Sequence, residues 1–428
     1  MKKFLKKALC FFTALTITLS LSGCDAFFDA LNSALSTGSD SVSVGGSTST
    51  GGNSSTGGNS STGGTSTGGS GTVDPELPDD SSTGGTSTGG NSSTGGNSST
   101  GGSGTVDPEL PDDKTAKLDI HFLELGNKKS GDCTYIKAGD TDILIDAGSL
   151  RPSAPIITSY LSKYCTDGKL EYVIATHAHE DHIAGFVGEN GKNQGVFDLY
   201  RVGTLIDFPQ ANSDSGIYRD YKTLRSSIIS KYGTKHYTAL EWWNGVDGLT
   251  RSIEIADGIT MNVLYQKYYE KKDSSIENNH SVCVMFSQGD NHYLFTGDLQ
   301  EAGEQSLVES NQLPKVKLYK AGHHGSYTSS SSELMQVIQP EVVCVCCCAG
   351  DQHNFPRQEF INRVAPYTDK IYVTSLTTSS GAGFTSMNGN IVVSSTGGAL
   401  TVNCSNNNTI LKETAWFKAN RTWPSNGV

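Results

Sequence analysis

His177, His179, Asp181 and His182 fall within six residues, directly after the apolar run Tyr172 to Ala175. Imidazole and carboxylate groups at this density, on a loop at a strand end, suit Zn²⁺, Mn²⁺ or Fe²⁺. On an extended chain His177 and His179 share a face, and Asp181 and His182 face a second ion once the chain turns. Two cations about 3.5–4 Å apart would activate a water and clamp a leaving oxygen. Two further segments add to the set. Phe295-Thr296-Gly297-Asp298 places a carboxylate at the end of an apolar run, where Gly permits a tight turn; alone such a turn is common. Gly322-His323-His324-Gly325-Ser326 follows the run Val316 to Lys320. Seven of the ten histidines (positions 177, 179, 182, 280, 323, 324 and 353) lie in or beside these segments, which favours a site over a solvated polar loop.

The elements that must position these residues alternate between strand-like and helix-like runs. Leu118 to Leu125 and Thr134 to Asp146 read as strands, and Ala154 to Tyr164 has helical periodicity. Thr260 to Tyr265 is a further strand, and Ser281 to Ser287 with His292 to Phe295 reads as a hairpin around Gly289. Val316 to Tyr319, Val342 to Cys348 and Ile371 to Thr374 are apolar runs beside helical stretches, and Ile391 to Ser394 with Ala399 to Val402 closes the chain as a second hairpin. This pattern predicts an α/β fold with sheets covered by helices. Cys344, Cys346, Cys347 and Cys348 lie among valines and read as a core strand, since Cys packs as a small hydrophobe. The aromatic-rich stretch 197–273 supplies either core and edge residues or a rim for a base, sugar or choline group. Lys320 either meets an anionic substrate or is solvated.

The run Thr176-His177-Ala178-His179-Glu180-Asp181-His182 resembles the signature of the metallo-β-lactamase superfamily. Leu144-Ile145-Asp146-Ala147-Gly148 before it and Thr296-Gly297-Asp298 after it match that superfamily's motif order, and His323-His324-Gly325-Ser326 is similar to the branch containing ComEC-type competence proteins. The resemblance runs from about Leu118 to Asn403. It implies an αββα sandwich, two mixed sheets flanked by helices, with two divalent metal ions at one edge. Zn is the expected metal, with Mn or Fe as alternatives. By the same resemblance His177 and His179 hold one ion, Asp181 and His182 the other, and Asp298 bridges. His323 or His324 completes the second site, with the ligand assigned to His323; the partner, assigned to His324, then sits beside it and contacts a phosphate oxygen. The leaving group takes its proton from Asp181 or from water.

Three departures from the family pattern stand out. The segment ahead of the Gly-Asp strand reads Asn278-Asn279-His280-Ser281, so His280 is the expected third ligand of the first ion, with Asn279 or a water as the alternative. The opening Gly-Asp turn is long and basic here, Gly126 to Cys133, with Lys128 and Lys129. The late His-Pro motif appears as His353-Asn354-Phe355-Pro356, which leaves the part played by His353 open.

Ahead of this domain, Lys2, Lys3, Lys6 and Lys7 precede the apolar run Ala8 to Leu21 and then Leu21-Ser22-Gly23-Cys24. The run is short for a membrane span and reads as a signal peptide over 1–23. Its end resembles a bacterial lipobox, which implies lipidation of Cys24 and an extracytoplasmic, membrane-anchored protein. Residues 24–113 are expected to be a disordered linker: Gly, Ser, Thr and Asn dominate, and Gly68 to Asp80 recurs verbatim at Gly101 to Asp113. Such a coil spans roughly 50 Å. The formal charge of −12 is concentrated there, because 25–113 contains no Lys or Arg. The acidic total therefore does not exclude an anionic substrate. Residues 114–405 form the expected catalytic domain and 406–428 a C-terminal tail. The expected activity is metal-dependent hydrolysis of phosphodiester or phosphomonoester bonds in nucleic acid or a phospho-decorated envelope polymer. The alternatives are an ester, lactone or amide hydrolase, and a non-catalytic DNA- or polymer-binding domain.

Overall fold

A computed structural model describes residues 115–428. The expected leader, Cys24 and the linker lie outside the described residues. Two eight-stranded mixed sheets make up the fold. From edge to edge the first runs Thr401–Cys404, Ile391–Ser395, Leu118–Phe122, Thr134–Ala138, Thr141–Ile145, Lys169–Ile174, Arg201–Asp207 and Lys235–Thr238. The second runs Phe384–Ser386, Ile371–Thr377, Val342–Ala349, Leu318–Lys320, Asn291–Phe295, Cys283–Gln288, Ile259–Leu264 and Ser252–Ala256. In each sheet antiparallel hairpins give way to parallel strands, beginning at the pairs Thr141–Ile145 with Lys169–Ile174 and Asn291–Phe295 with Leu318–Lys320. Parallel neighbours need crossovers, and helices such as Ala154–Leu161, Gly216–Tyr232 and Ser332–Ile338 supply them.

The sheets face one another across an apolar layer. Phe122 of the first sheet stacks on Phe295 of the second with centroids 6.2 Å apart. The cysteine-rich strand shows how the layers form: Cys344 and Cys346 join the cluster between the sheets, while Val343, Val345 and Cys347 face the outer helices with Leu334, Ile338 and Phe360. Alternation along a strand requires this. The four cysteines are free thiols in a core strand.

Two expectations need correction, and one stretch holds elements that the sequence pattern did not mark. Thr134 to Asp146 is a hairpin with a turn at Gly139, whose φ of +55° a residue with a Cβ adopts only under strain, and not one strand. Residues 406–428 are not a tail. Leu411 and Phe417 are buried against the second sheet's outer layer, and Arg421 donates to the carbonyl of Pro356 at 2.8 Å. In the stretch 197–273 the strand Arg201–Asp207 and the helix Gly216–Tyr232 went unrecognised, the strand because Gly203 interrupts its apolar run. Tyr221, Trp242 and Tyr269 in that stretch are core residues. Among the described residues no helix is long and apolar enough to cross a membrane.

Candidate metal centre

The loops carrying the expected ligands leave the C-terminal ends of parallel strands in both sheets, where open α/β sheets place their sites. Residues 176–182 follow Lys169–Ile174, Asp298 follows Asn291–Phe295, and the histidine pair follows Leu318–Lys320. The loops meet closely. A Cβ on Gly148 would lie 1.5 Å from the Asp181 carbonyl oxygen, so only Gly lets these backbones approach. Three site residues that are not Gly adopt left-handed backbone: Asp146 (φ 56°), His323 (φ 48°) and His324 (φ 54°). Each such residue costs on the order of 1–3 kcal/mol, a cost that clusters at functional sites.

At the centre the Asp298 Oδ2 lies 3.1 Å from His182 Nε2 and 3.4 Å from His324 Nε2, and His324 Nε2 is 3.3 Å from Asp181 Oδ2. His177, His182 and Asp298 form one group with metal-ligand spacing, and Asp181, His182 and His324 form another. His177 Nε2 is 3.0 Å from His179 Nδ1, and His179 is half-buried beside these groups. His182 Nε2, His324 Nε2 and Asp298 Oδ1 are buried atoms without a hydrogen-bond partner. Buried polar groups are otherwise almost always paired. Nitrogen and oxygen donors left unpaired in one buried cluster fit divalent cations.

The other ring atoms are fixed. His182 Nδ1 pairs with Asp146 Oδ2 at 2.7 Å, and Asp146 also accepts from the Thr176 amide and hydroxyl. His324 Nδ1 lies 2.9 Å from the Cys346 carbonyl oxygen, to which it donates. Each bond aims the remaining nitrogen inward, the usual arrangement behind ligating histidines. Asp298 is held by its own amide, which donates to Ser281 Oγ at 3.0 Å.

Two assignments change. His324, not His323, converges with Asp181 and His182; the left-handed turn directs His323 to the rim, its Nε2 3.9 Å from Asp298 Oδ2 and its Nδ1 2.9 Å from Thr328 Oγ1. His280 is fully buried but closed: its Nε2 accepts from the Asp273 amide at 3.2 Å and its Nδ1 faces Glu277 Oε2 at 3.3 Å. Neither of its ring nitrogens is left open toward the first site. Asn279 is also engaged, with Asp273 Oδ2 and the Gln300 amide. His353 stacks on Phe355, which separates it from His323 and His324.

Four further residues take parts that the sequence pattern did not assign. Asp132 places Oδ1 3.1 Å from His324 Nδ1, and its second oxygen pairs with Lys320. Lys320 is buried and so neither solvated nor turned to a substrate. Asp146 orients His182. Glu277 ties three loops, accepting from the amides of Ala178 and Asn212 and facing His280. Asp132 and Asp146 sat in motifs already singled out, whereas Glu277 works through backbone amides and leaves no spacing signal.

Electrostatics agree with the geometry. Burial pushes His182 down, but Asp298 and Asp146 outweigh it and raise it well above the usual imidazole range. Burial likewise opposes the charge on His324, and Asp298 and Asp132 overcome it, to about 10. Burial would raise Asp298, but His182 and His324 hold it well below the carboxylate range. Without metal, protons on imidazoles supply the positive charge that this carboxylate cluster requires.

Sequence comparisons point the same way. The Metallo-beta-lactamase superfamily pattern matches residues 126–188. The chain is similar to ComE operon protein 3 of Bacillus subtilis, 28% identical over 212 residues that make up 48% of this chain and 24% of that protein. It is also similar to competence protein ComA of Neisseria gonorrhoeae, 24% identical over 251 residues, covering 58% of this chain and 30% of the other. Recombination protein 2 of Haemophilus influenzae is 29% identical over 100 residues, 23% of this chain and 12% of that protein. The chain thus spans less than a third of the length of these relatives. Among solved structures, the metallo-beta-lactamase fold protein YhfI from Bacillus subtilis aligns over 61% of this chain and 97% of its own, at 12% identity and a TM-score of 0.39. The resemblance read from the motifs is thus to the metallo-β-lactamase superfamily, in the branch of the competence proteins.

Proposed function

With that superfamily as premise, we propose that the described domain is a metal-dependent hydrolase of phosphodiester or phosphomonoester bonds, with nucleic acid the favoured substrate and an envelope polymer the next. The observation that carries this reading is the convergence of open, buried donors from His182, His324 and Asp298, with Asp181 alongside. Divalent cations held there would supply positive charge for a developing oxyanion and lower the pKa of a nucleophilic water.

The chain's own residues do the rest. Asp146 and the Cys346 carbonyl keep Nε2 of His182 and His324 free of protons once cations are held. His323, partly exposed at the rim, contacts a phosphate oxygen. Asp181, whose side chain is 38% exposed, stands between the cluster and solvent; burial would raise its carboxyl, but His324 and His182 hold it well below the carboxylate range, so the leaving group takes its proton from water. Lys128 and Lys129 lie on the loop that packs against the Asp181 backbone through Gly131, which favours an anionic substrate. The names of the relatives, competence and recombination proteins, favour nucleic acid over the polymer. Lipidation at Cys24 and an extracytoplasmic, membrane-anchored location complete the proposal.

The test is turnover of bis-(p-nitrophenyl) phosphate, single-stranded DNA and nitrocefin by the purified chain with Zn²⁺ or Mn²⁺. Phosphodiester cleavage that disappears in Asp298→Ala supports the reading. Turnover of nitrocefin alone redirects it to amide chemistry, and DNA binding without any turnover makes the domain a binding module.

A further inference from the structure

The carboxylates of this site outnumber what two metal positions use. Asp132 has ligand spacing in two groups, one with Asp298 and His324 and one with Asp146 and His182. It is as buried as Asp298 and could ligate a metal by position alone. What occupies it is Lys320. The ammonium contacts Asp132 Oδ2, lies 3.7 Å from Asp298 Oδ1 and donates to the Gly297 carbonyl at 3.3 Å. The Lys320 side chain is 3% exposed, so no solvent shares its charge. Such a charge persists in the interior only when paired.

We propose that the centre is built for three cations, one of which is the Lys320 ammonium: Lys320 is a positioning residue that keeps Asp132 out of the metal-ligand set and steadies Asp298 from its Oδ1 side. The packing explains why a lysine and not a third metal fills the place. The side chain runs from the strand Leu318–Lys320 to the Gly297 turn, where the ammonium donates to the Gly297 carbonyl, pairs with Asp132 and places its charge 3.7 Å from Asp298 Oδ1. The other oxygen of Asp132 lies 3.1 Å from His324 Nδ1, whose proton goes to the Cys346 carbonyl, so the ammonium also offsets a carboxylate charge beside a metal-binding imidazole. This inference rests on reading the cluster as a metal centre, but its charge coupling is measurable without metal.

The test is a double-mutant cycle in the full chain with Lys320→Met, Asp132→Asn and the pair, read as melting temperature after EDTA treatment and as bound metal per chain. Lys320→Met strands a buried carboxylate and lowers the EDTA-state melting temperature by about 10 °C. Asp132 then ligates, so metal-induced stabilisation exceeds that of the parent. Asp132→Asn leaves the ammonium facing Asp298 alone, where it competes with cations and weakens metal binding about tenfold. The double variant recovers most of the melting temperature and parental metal content. If Lys320→Met does not fold, recovery of folding in the double variant is the supporting result. A double variant no better than Lys320→Met, or single variants matching the parent in both readouts, overturns the proposal. A parent chain that binds no metal, with the coupling between positions 132 and 320 intact, refutes the metal-centre reading instead.

Discussion

Two histidine-bearing segments meet at the same sheet edge and differ in what their rings have left to offer. In the loop 176–182, His182 commits Nδ1 to Asp146 and leaves Nε2 open among Asp298, Asp181 and His324. In the turn Glu277–His280, His280 is as deeply buried, yet the Asp273 amide and Glu277 take both nitrogens. Residue type and position in the chain made the two look alike. Ligand capacity lies in the hydrogen bonds a ring does not make, and the closed histidine serves to brace the loop that Glu277 ties to Ala178.

The largest effect that would sharpen this contrast is in turnover and metal content. His182→Ala or Asp298→Ala should abolish bound metal and lower phosphodiester turnover by 10³-fold or more, whereas His280→Ala should retain its metal and lose less than about tenfold. Loss of metal from His280→Ala in a folded chain would break the comparison. Next comes the histidine pair. His324→Ala should lose metal, while His323→Ala keeps it and raises KM for a phosphodiester about tenfold, measured by metal analysis beside steady-state kinetics.

Protonation provides a third test. Because His324 is raised to about 10 in the metal-free chain, cations must displace its proton near neutrality. Metal affinity should rise with pH, by about tenfold per unit for each proton released. Calorimetry in buffers of different ionisation enthalpy would show that release. An affinity independent of pH between 6 and 8 would contradict the assignment.

The smallest effect lies away from the site, at a closed histidine on the first sheet. His121, beneath Tyr160 and Tyr164, is lowered to about 4 by burial, with Asp119 opposing and Lys117 assisting, and its Nδ1 pairs with the Tyr160 hydroxyl at 2.9 Å. A depressed imidazole favours the folded state fully above the unfolded value near 6.5, and that contribution is lost as pH falls through 4. The loss is at most about 3 kcal/mol. His121→Phe should flatten the fall in melting temperature across that window in EDTA, and an unchanged acid slope would show that another group is responsible.

Much of this arrangement was legible in the chain itself. The hairpin Cys283–Gln288 with Asn291–Phe295, the closing hairpin and the burial of Cys344 to Cys348 followed from runs of apolar residues, the two-sheet sandwich and the place of Asp298 from the family resemblance, and the grouping of His177, His179, Asp181 and His182 from motif density. What escaped has a common physical cause. Lys320, Glu277 and Asp132 act through contacts between segments far apart in sequence, and no local spacing encodes a buried ion pair or a carboxylate bound to amides of two other loops. The exchange of His323 for His324 turned on two consecutive left-handed residues, which decide where each ring points and which a pair of adjacent histidines does not reveal. The strand Arg201–Asp207 was hidden by a glycine that lets the Glu171 carbonyl of its neighbour approach closely.

The most direct measurement is anomalous diffraction from crystals of the chain grown with Mn²⁺ or Zn²⁺. The account predicts metal peaks within coordination distance of His182 Nε2, His324 Nε2 and an Asp298 oxygen, with His280 still bonded to Asp273 and Glu277 and with Lys320, not metal, against Asp132. A peak on His280, or no peak among His182, His324 and Asp298 at saturating metal, would contradict it.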